Sequence, residues 1–324
     1  MNNVKLVGTG SYVPDNVVTN HQLSQWVDTS DQWIYSRTGI KERRISNGIT
    51  ASEMGSKASI KALNQAAIDP TEIDLIIVAT MTADKYLPSV ACEIQRDIKA
   101  EKAVCFDLNA ACSGFLYAYN VAVQFIKTGT YKKALIVGTE VLSKLVDWED
   151  RGTCVLFGDG AGAAIISQSE EEGFIQMKMG SDGRMSKALL CDSRPLNNPF
   201  IKEKDDLNLD YIKMDGQDIF KFVCSTIPNN ILDLFEETEH TLNDVSHFIL
   251  HQANKRIIQA VAKRLGADIN KFFTNLDQYG NTSAASIPIA LDEINRQNKL
   301  KKGDLVVLSG FGGGLTWGSA LLKI

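Results

Sequence analysis

Short unbroken apolar runs alternate along this chain with segments whose apolar positions recur every three to four residues. Residues 74–80 (Asp-Leu-Ile-Ile-Val-Ala-Thr), 103–108, 135–139 and 163–166 read as strands buried on both faces. Residues 53–67, 89–98 and 113–127 read as the helices between them. Such alternation predicts an α/β fold. The same order returns further on. A helix over 219–236 precedes a strand at 245–250, as one precedes the strand at 74–80. Residues 302–308 echo 132–137, and Asn281-Thr282-Ser283 opens a helix much as Ala111-Cys112-Ser113 does. The three correspondences share an offset of roughly 170 residues, which predicts an internal duplication. The halves are read as 1–170 and 171–324, with the polar stretch 169–173 (Ser-Glu-Glu-Glu-Gly) as their connection. Two copies set back to back would bring equivalent loops together near a pseudo-dyad, a natural place for a site.

Composition narrows the function. Among 324 residues, 44% are hydrophobic and 23% charged, which is ordinary globular usage. The net charge of −5 gives no footprint for nucleic acid. No stretch approaches the ~20 apolar residues of a membrane span, and the N-terminal residues lack the apolar run of a signal peptide, so a cytoplasmic protein is expected. Six cysteines occur with no C-x-x-C spacing and only four histidines accompany them, so no metal site is expected. A cysteine with a task is then better read as a nucleophile than as a ligand. Residues 192–210 carry prolines, asparagines and a charged run at 202–206, and read as a surface loop or flap.

Three residues stand out chemically. Cys112 lies between a strand and a helix, where unpaired N–H groups and the helix dipole favour a thiolate; an inert buried thiol is the competing reading. His251 stands at the carboxyl end of the 245–250 strand, where α/β sheets place their sites; a hydrogen-bonded structural histidine weighs about equally. Asn281, in Gly280-Asn281-Thr282-Ser283, is a plausible helix cap. Its amide could equally donate a hydrogen bond to a forming negative charge without surrendering a proton.

Less specific features complete the picture. The segment Gly310-Phe311-Gly312-Gly313-Gly314 matches no phosphate-loop order. Its bare backbone could form an oxyanion hole, or simply a crowded hairpin turn. Phe157 to Ala163 reads as a structural turn into a core strand. Residues 28–40 read as a capped helix ending at Gly39, with Trp33 and Arg37 on one face. With Arg151 they could stack on a base and bind a phosphate, although a packed Trp beside a solvated Arg is the blander account.

Taken together, the blocks at 28–43, 107–114, 150–162, 251–254, 279–285 and 310–318 resemble the thiolase superfamily, and specifically the beta-ketoacyl-acyl-carrier-protein synthase III family. The resemblance implies a thiolase-like fold of five α-β-α-β-α layers built from two duplicated halves. It implies a Cys112–His251–Asn281 triad and an oxyanion hole from the N–H groups of Cys112 and Gly313. It implies that Trp33, Arg37, Thr38, Arg151 and Asn254 contact coenzyme A, that Gly216 and Phe220 line the path to the cysteine, and that Lys221 and Arg256 help dock an acidic carrier protein. The implied reaction takes an acyl group from acyl-CoA onto Cys112. Decarboxylative condensation with malonyl-acyl-carrier protein then gives a 3-oxoacyl-carrier protein, which initiates fatty-acid synthesis. Neither a metal nor another cofactor is implied, and a homodimer is. Leu87 stands where acetyl-selective members carry a phenylalanine that crosses the dimer interface, which leaves longer or branched primers open. An acyltransferase of secondary metabolism, passing its acyl group to an acceptor other than malonyl, is the alternative.

Overall fold

The computed structural model describes residues 2–195, 198–200 and 211–324. The charged run at 202–206, and with it much of the expected 192–210 flap, lies outside the described residues. The first part of the chain forms β1 (Asn3–Tyr12), β2 (Val17–Thr19), α1 (Asn20–Leu23), α2 (Asp31–Thr38), β3 (Glu42–Arg44), α3 (Ala51–Ala66), β4 (Leu75–Ala79), α4 (Val90–Ile98), β5 (Val104–Leu108), α5 (Gly114–Lys127), β6 (Lys133–Glu140) and β7 (Gly160–Ser169). There follow β8 (Phe174–Ser181), β9 (Leu189–Leu190), β10 (Lys213–Met214), α6 (Gly216–Leu232), β11 (Val245–Leu250), α7 (Lys255–Leu265), α8 (Leu276–Tyr279), α9 (Ser286–Arg296), β12 (Leu305–Gly312) and β13 (Thr316–Lys323).

Local chemistry sets the helix ends. Thr50 and Glu53 form a capping box at the start of α3, each satisfying the other's backbone N–H. The α2 helix starts at an N-cap Ser30 and stops at Gly39, whose φ of 82° is a left-handed cap that favours glycine. Strand β4 carries Leu75, Ile76, Ile77, Val78 and Ala79, every one fully buried, between parallel neighbours β5 and β6. Truncating Ile77 to Ala there would cost about 2–5 kcal/mol, because both faces are packed and the cavity could not collapse.

Among the described residues the first sheet runs β1-β7-β6-β4-β5 and the second β11-β12-β13-β8. Reversed, the second order superposes on the first: β8 on β1, β13 on β7, β12 on β6, β11 on β4. The place of β5 is kept only by a parallel bridge between Phe248 and Phe272. Helices α3 and α4 cover the outer face of the first sheet, and α6 and α7 that of the second. Helices α5 and α9 lie between, each touching both sheets. This is the five-layered thiolase-like arrangement.

The register of the duplication differs from the sequence expectation. Asn109 Oδ1 accepts from the Ala111 N–H at 3.0 Å, and Asn281 Oδ1 accepts from the Ser283 N–H at 2.9 Å. Ala111 and Ser283 share a positive φ, 46° and 48°. The two loops are therefore the same turn, and Cys112 answers to Ala284 rather than to Thr282. The loop before α5 packs on β12, and the loop before α9 packs on β6. A Cβ on Gly312 would stand 2.5 Å from the Cys112 nitrogen, and one on Gly138 would stand 2.3 Å from the Ala284 carbonyl. Only glycine allows these crossings, which bring the two copies together at the pseudo-dyad.

Candidate active site

Cys112 lies in a single helical turn (Ala111–Ser113) just ahead of α5 and is buried. His251 is the first residue after β11. Its N–H donates to the Ser309 carbonyl at 2.8 Å, fixing it to the end of β12. Its Nδ1 is 2.7 Å from Ser286 Oγ, at the start of α9, and the Phe311 ring meets the imidazole edge-on at 5.2 Å. Asn281 is tied on both sides of its peptide: its N–H donates to Leu156 at 2.8 Å, and its carbonyl accepts from Gly158 at 3.0 Å. With Oδ1 held by the Ser283 N–H, its NH2 group is left for the cavity that Asn281 lines. Gly158 is obligatory, since a Cβ would stand 2.2 Å from the Tyr279 carbonyl.

Cys112, His251 and Asn281 line one largely apolar cavity of about 120 Å³, walled by Phe157, Leu189, Phe220, Phe222, Phe311 and Leu315. A smaller cavity of about 60 Å³ shares Cys112, Phe157 and Leu189 with it and is lined further by Met81, Leu142, Ile212, Ser283 and Gly313. The thiol thus sits at the neck between an outer channel and an inner pocket. Phe157 faces both cavities, so the segment 157–163 is not merely a structural turn.

Burial governs the charge states. It pushes the Cys112 thiol up to about 12, opposed by a hydrogen bond from Ser283, while Glu140 adds to the rise. This corrects the expectation of a resting thiolate: desolvation outweighs whatever the single turn and α5 supply. His251 is pushed down to about 3 by burial and is neutral. A neutral imidazole lining the same cavity as a protonated thiol can accept the thiol proton during attack. Ser286 Oγ suits that task. It can accept from Nδ1–H, freeing Nε2 as a base, or donate to Nδ1, making Nε2–H a donor.

The other expected site residues fall into groups. Gly216, Phe220 and Asn254 line the outer cavity. Gly313 lines the inner one beside Cys112. The Arg37 and Arg151 guanidinium carbons lie 4.5 and 5.2 Å from the Trp33 ring centroid, away from either cavity lining. Asn254 Nδ2 donates to the Arg37 carbonyl at 3.1 Å and so ties this trio to the cavity mouth. Thr38 does not join them: it is buried, its hydroxyl donating to Ile34 at 2.7 Å and accepting from the Ile40 N–H at 3.0 Å. It closes the end of α2, with its one O–H spent on Ile34. Lys221 is exposed and pairs with Asp218 at 3.2 Å, and the exposed Arg256 donates to the Ser36 carbonyl at 2.8 Å. Leu87 is 85% exposed and lines neither cavity.

Sequence reasoning gave no task to Ser286, Ser283, Glu140 or Phe311: Ser283 meets Glu140 of the first half, whereas Ser286 and Phe311 meet His251 within the second. It quoted Arg43 without a task. Arg43 is fully buried and donates to the carbonyls of Val18 and Val155 at 3.1 and 2.8 Å, bracing the loop that holds Asn281. Its neighbours Lys41, Glu42 and Arg44 are charged too, so no local sequence signal set it apart.

The layers and the cysteine at their centre define a condensing acyltransferase of the thiolase fold. Residues 106–183 match a model of 3-oxoacyl-[acyl-carrier-protein] synthase III, and residues 235–324 match its C-terminal counterpart. Beta-ketoacyl-[acyl-carrier-protein] synthase III of Clostridium acetobutylicum is 54% identical over 323 residues, spanning 100% of this chain and 99% of that protein. The Clostridium novyi protein of the same name is 53% identical, with the same coverage. A crystal structure of 3-oxoacyl-[acyl-carrier-protein] synthase III from Aquifex aeolicus superposes with a TM-score of 0.93 at 45% identity, over 99% of this chain and 100% of that one. The chain belongs to the 3-oxoacyl-[acyl-carrier-protein] synthase III family.

Proposed function

We propose that this enzyme primes fatty-acid synthesis with Cys112, His251 and Asn281 as its catalytic groups, the halves 1–170 and 171–324 each supplying part of the centre. The observation that carries the reading is that these three side chains, from distant parts of the chain, line one apolar cavity with a second pocket behind the thiol. In the first stage Cys112 Sγ attacks the thioester carbonyl of an acyl-CoA as His251 Nε2 takes the thiol proton. The oxyanion forms against the N–H groups of Cys112 and Gly313. Collapse breaks the carbon–sulfur bond to coenzyme A, which leaves with the proton from His251. The acyl chain then lies in the inner pocket.

In the second stage malonyl-acyl-carrier protein enters by the same channel. Loss of carbon dioxide places the electron pair on the thioester oxygen, where His251 Nε2–H and the Asn281 NH2 donate to it. The enolate carbon attacks the acyl-cysteine carbonyl, and the cysteine sulfur leaves to give 3-oxoacyl-carrier protein. The departing cysteine thiolate takes a proton from solvent, the one proton the overall condensation consumes, which restores the resting thiol, and no cofactor enters the scheme. Trp33, Arg37 and Arg151 offer a stacking and phosphate-binding rim for coenzyme A. Lys221 and Arg256 offer cations to a carrier protein. The exposed Leu87, beside the exposed Tyr86, fits a residue presented to a partner copy in a cytoplasmic homodimer. Among the described residues no helix is long and apolar enough to cross a membrane.

Intact-mass analysis after exposure to a panel of acyl-CoAs, with Cys112→Ala as control, tests the first stage. Carbon dioxide release on adding malonyl-carrier protein tests the second. Adducts that survive Cys112→Ala, or acyl transfer with no carbon dioxide released, would sink the reading, the latter in favour of an acyltransferase of secondary metabolism.

A further inference from the structure

The two N–H groups offered to the oxyanion stand on different pieces of chain. Cys112 belongs to the turn 111–113 before α5, and Gly313 to the hairpin between β12 and β13. Two hydroxyls join these pieces. Thr316 Oγ1, on the first residue of β13, lies 2.6 Å from the Oγ of the buried Ser113. Ser113 Oγ also reaches the Ala110 carbonyl at 2.8 Å, to which the Ser113 N–H donates at 3.2 Å to close the turn. Thr316 Oγ1 reaches the Gly313 carbonyl at 3.1 Å and the Ala110 carbonyl at 3.2 Å.

Two hydroxyl oxygens 2.6 Å apart share a proton, and each hydroxyl has one to give. If Thr316 donates to Ser113, Ser113 donates to Ala110. If Ser113 donates to Thr316, Thr316 is free to donate to Gly313 or Ala110. In either order a hydrogen bond crosses from the turn to the hairpin.

The other copy supplies a comparison. The matched turns align Ser113 with Ala285. Gly312 at the end of β12 pairs with Thr316, as Glu140 at the end of β6 pairs with Gly160, so Thr316 aligns with Gly160. Neither Ala285 nor Gly160 carries a hydroxyl. The pair occurs only in the copy that presents the nucleophile. An oxyanion hole works only with its donors held within hydrogen-bond reach of one oxygen, and a misplacement of about 1 Å can cost a hundredfold. We infer that Thr316 and Ser113 are positioning residues, which lock the Cys112 and Gly313 N–H groups at the separation the thioester oxyanion needs. This deepens the condensing reading and rests on it.

The test compares two reactions of the same sulfur. Acylation by acetyl-CoA, followed by intact mass in single turnovers, needs the oxyanion hole. Alkylation by iodoacetamide displaces iodide at a tetrahedral carbon and forms no oxyanion. Thr316→Val removes the crossing hydrogen bond and keeps the shape. Acylation is expected to slow roughly ten- to a hundredfold, with alkylation and the half-saturating acetyl-CoA concentration within twofold of wild type. Thr316→Ser, which keeps the hydroxyl, should restore most of the rate. Ser113→Ala leaves Thr316 its bond to Ala110 and should slow acylation by less, and the double variant should be no slower than Thr316→Val. Acylation of Thr316→Val within twofold of wild type overturns the inference. So does a parallel fall in alkylation, which would mark general damage to the turn. Where Thr316→Val does not fold, Ser113→Ala decides by the same two readings. These outcomes, read beside a wild type that acylates, strike the inference alone; a wild type that is alkylated but never acylated overturns the condensing reading and the inference with it.

Discussion

Gly312→Ala isolates the packing that sets Cys112 at the pseudo-dyad. Gly312 lies in β12, outside the left-handed region, so alanine is tolerated by the backbone angles and only its methyl group matters. That methyl carbon would stand 2.5 Å from the Cys112 nitrogen, 3.1 Å from the Ser113 nitrogen and 3.1 Å from the Ala111 Cβ. Ordinary contact begins near 3.5 Å, so the overlap with Cys112 is about 1 Å. Two of the three atoms struck are backbone, so no flexible side chain can swing aside. The turn 111–113 must retreat, carrying with it the proposed oxyanion donor. Overpacking of this kind costs about 1–3 kcal/mol of stability, and loss of one oxyanion donor slows acyl transfer by about 10²–10³. Stopped-flow or quenched acylation of Cys112 by acyl-CoA, read by intact mass, measures the second effect, and thermal unfolding the first. Gly183→Ala, with nothing within 4 Å of its Cβ, is the control. A folded Gly312→Ala variant acylating within twofold of wild type would refute both the steric account and the oxyanion assignment.

Further outcomes follow from the same geometry. Asn281→Ala should keep Cys112 acylation largely intact while slowing malonyl decarboxylation by about 10²–10³, since its NH2 serves only the second-stage enolate; parallel acylation and carbon dioxide assays separate the two. Ser286→Ala leaves His251 Nδ1 without its partner and should cost about 1–3 kcal/mol of stability, with both half-reactions impaired in single-turnover assays. His251 is held neutral to about pH 3 in the fold but protonates near 6.5 when unfolded. The folded pKa is depressed, so this stability is fully present above pH 6.5 and drains away as pH falls towards 3. At pH 5 the loss is about 2 kcal/mol, and His251→Asn should flatten that part of a denaturation-versus-pH curve. Trp33→Ala or Arg151→Ala should raise the KM for acyl-CoA with little change in kcat, because both lie away from the cavity lining; steady-state kinetics with a CoA-free thioester as comparison checks it.

Much of this enzyme could be read along the chain. The apolar runs at 74–80 and 245–250 marked the central strands, and Gly39 marked the end of α2, because burial and capping leave periodic, local traces. The repeated order of strands disclosed the duplication for the same reason. Cys112, His251 and Asn281 were visible as chemically capable residues at strand ends and helix starts. What the chain alone could not supply was anything that depends on the meeting of its two copies. The true pairing of Cys112 with Ala284 emerged only from the matching turns at Ala111 and Ser283. The protonation of the thiol was misjudged because a helix start is a local feature, whereas desolvation is the sum of everything packed around the sulfur. The burial of Thr38, with its O–H donated within α2, was likewise not legible along the chain. Ser283 and Ser286 lie far in sequence from Glu140 and His251, the groups they meet, and only the folding of the chain brings each pair together. Residue type and order determined the fold and the cast of reactive groups; the charge each group bears was decided by long-range packing, because electrostatic energy depends on distance through space and on excluded water, neither of which is written into neighbouring residues.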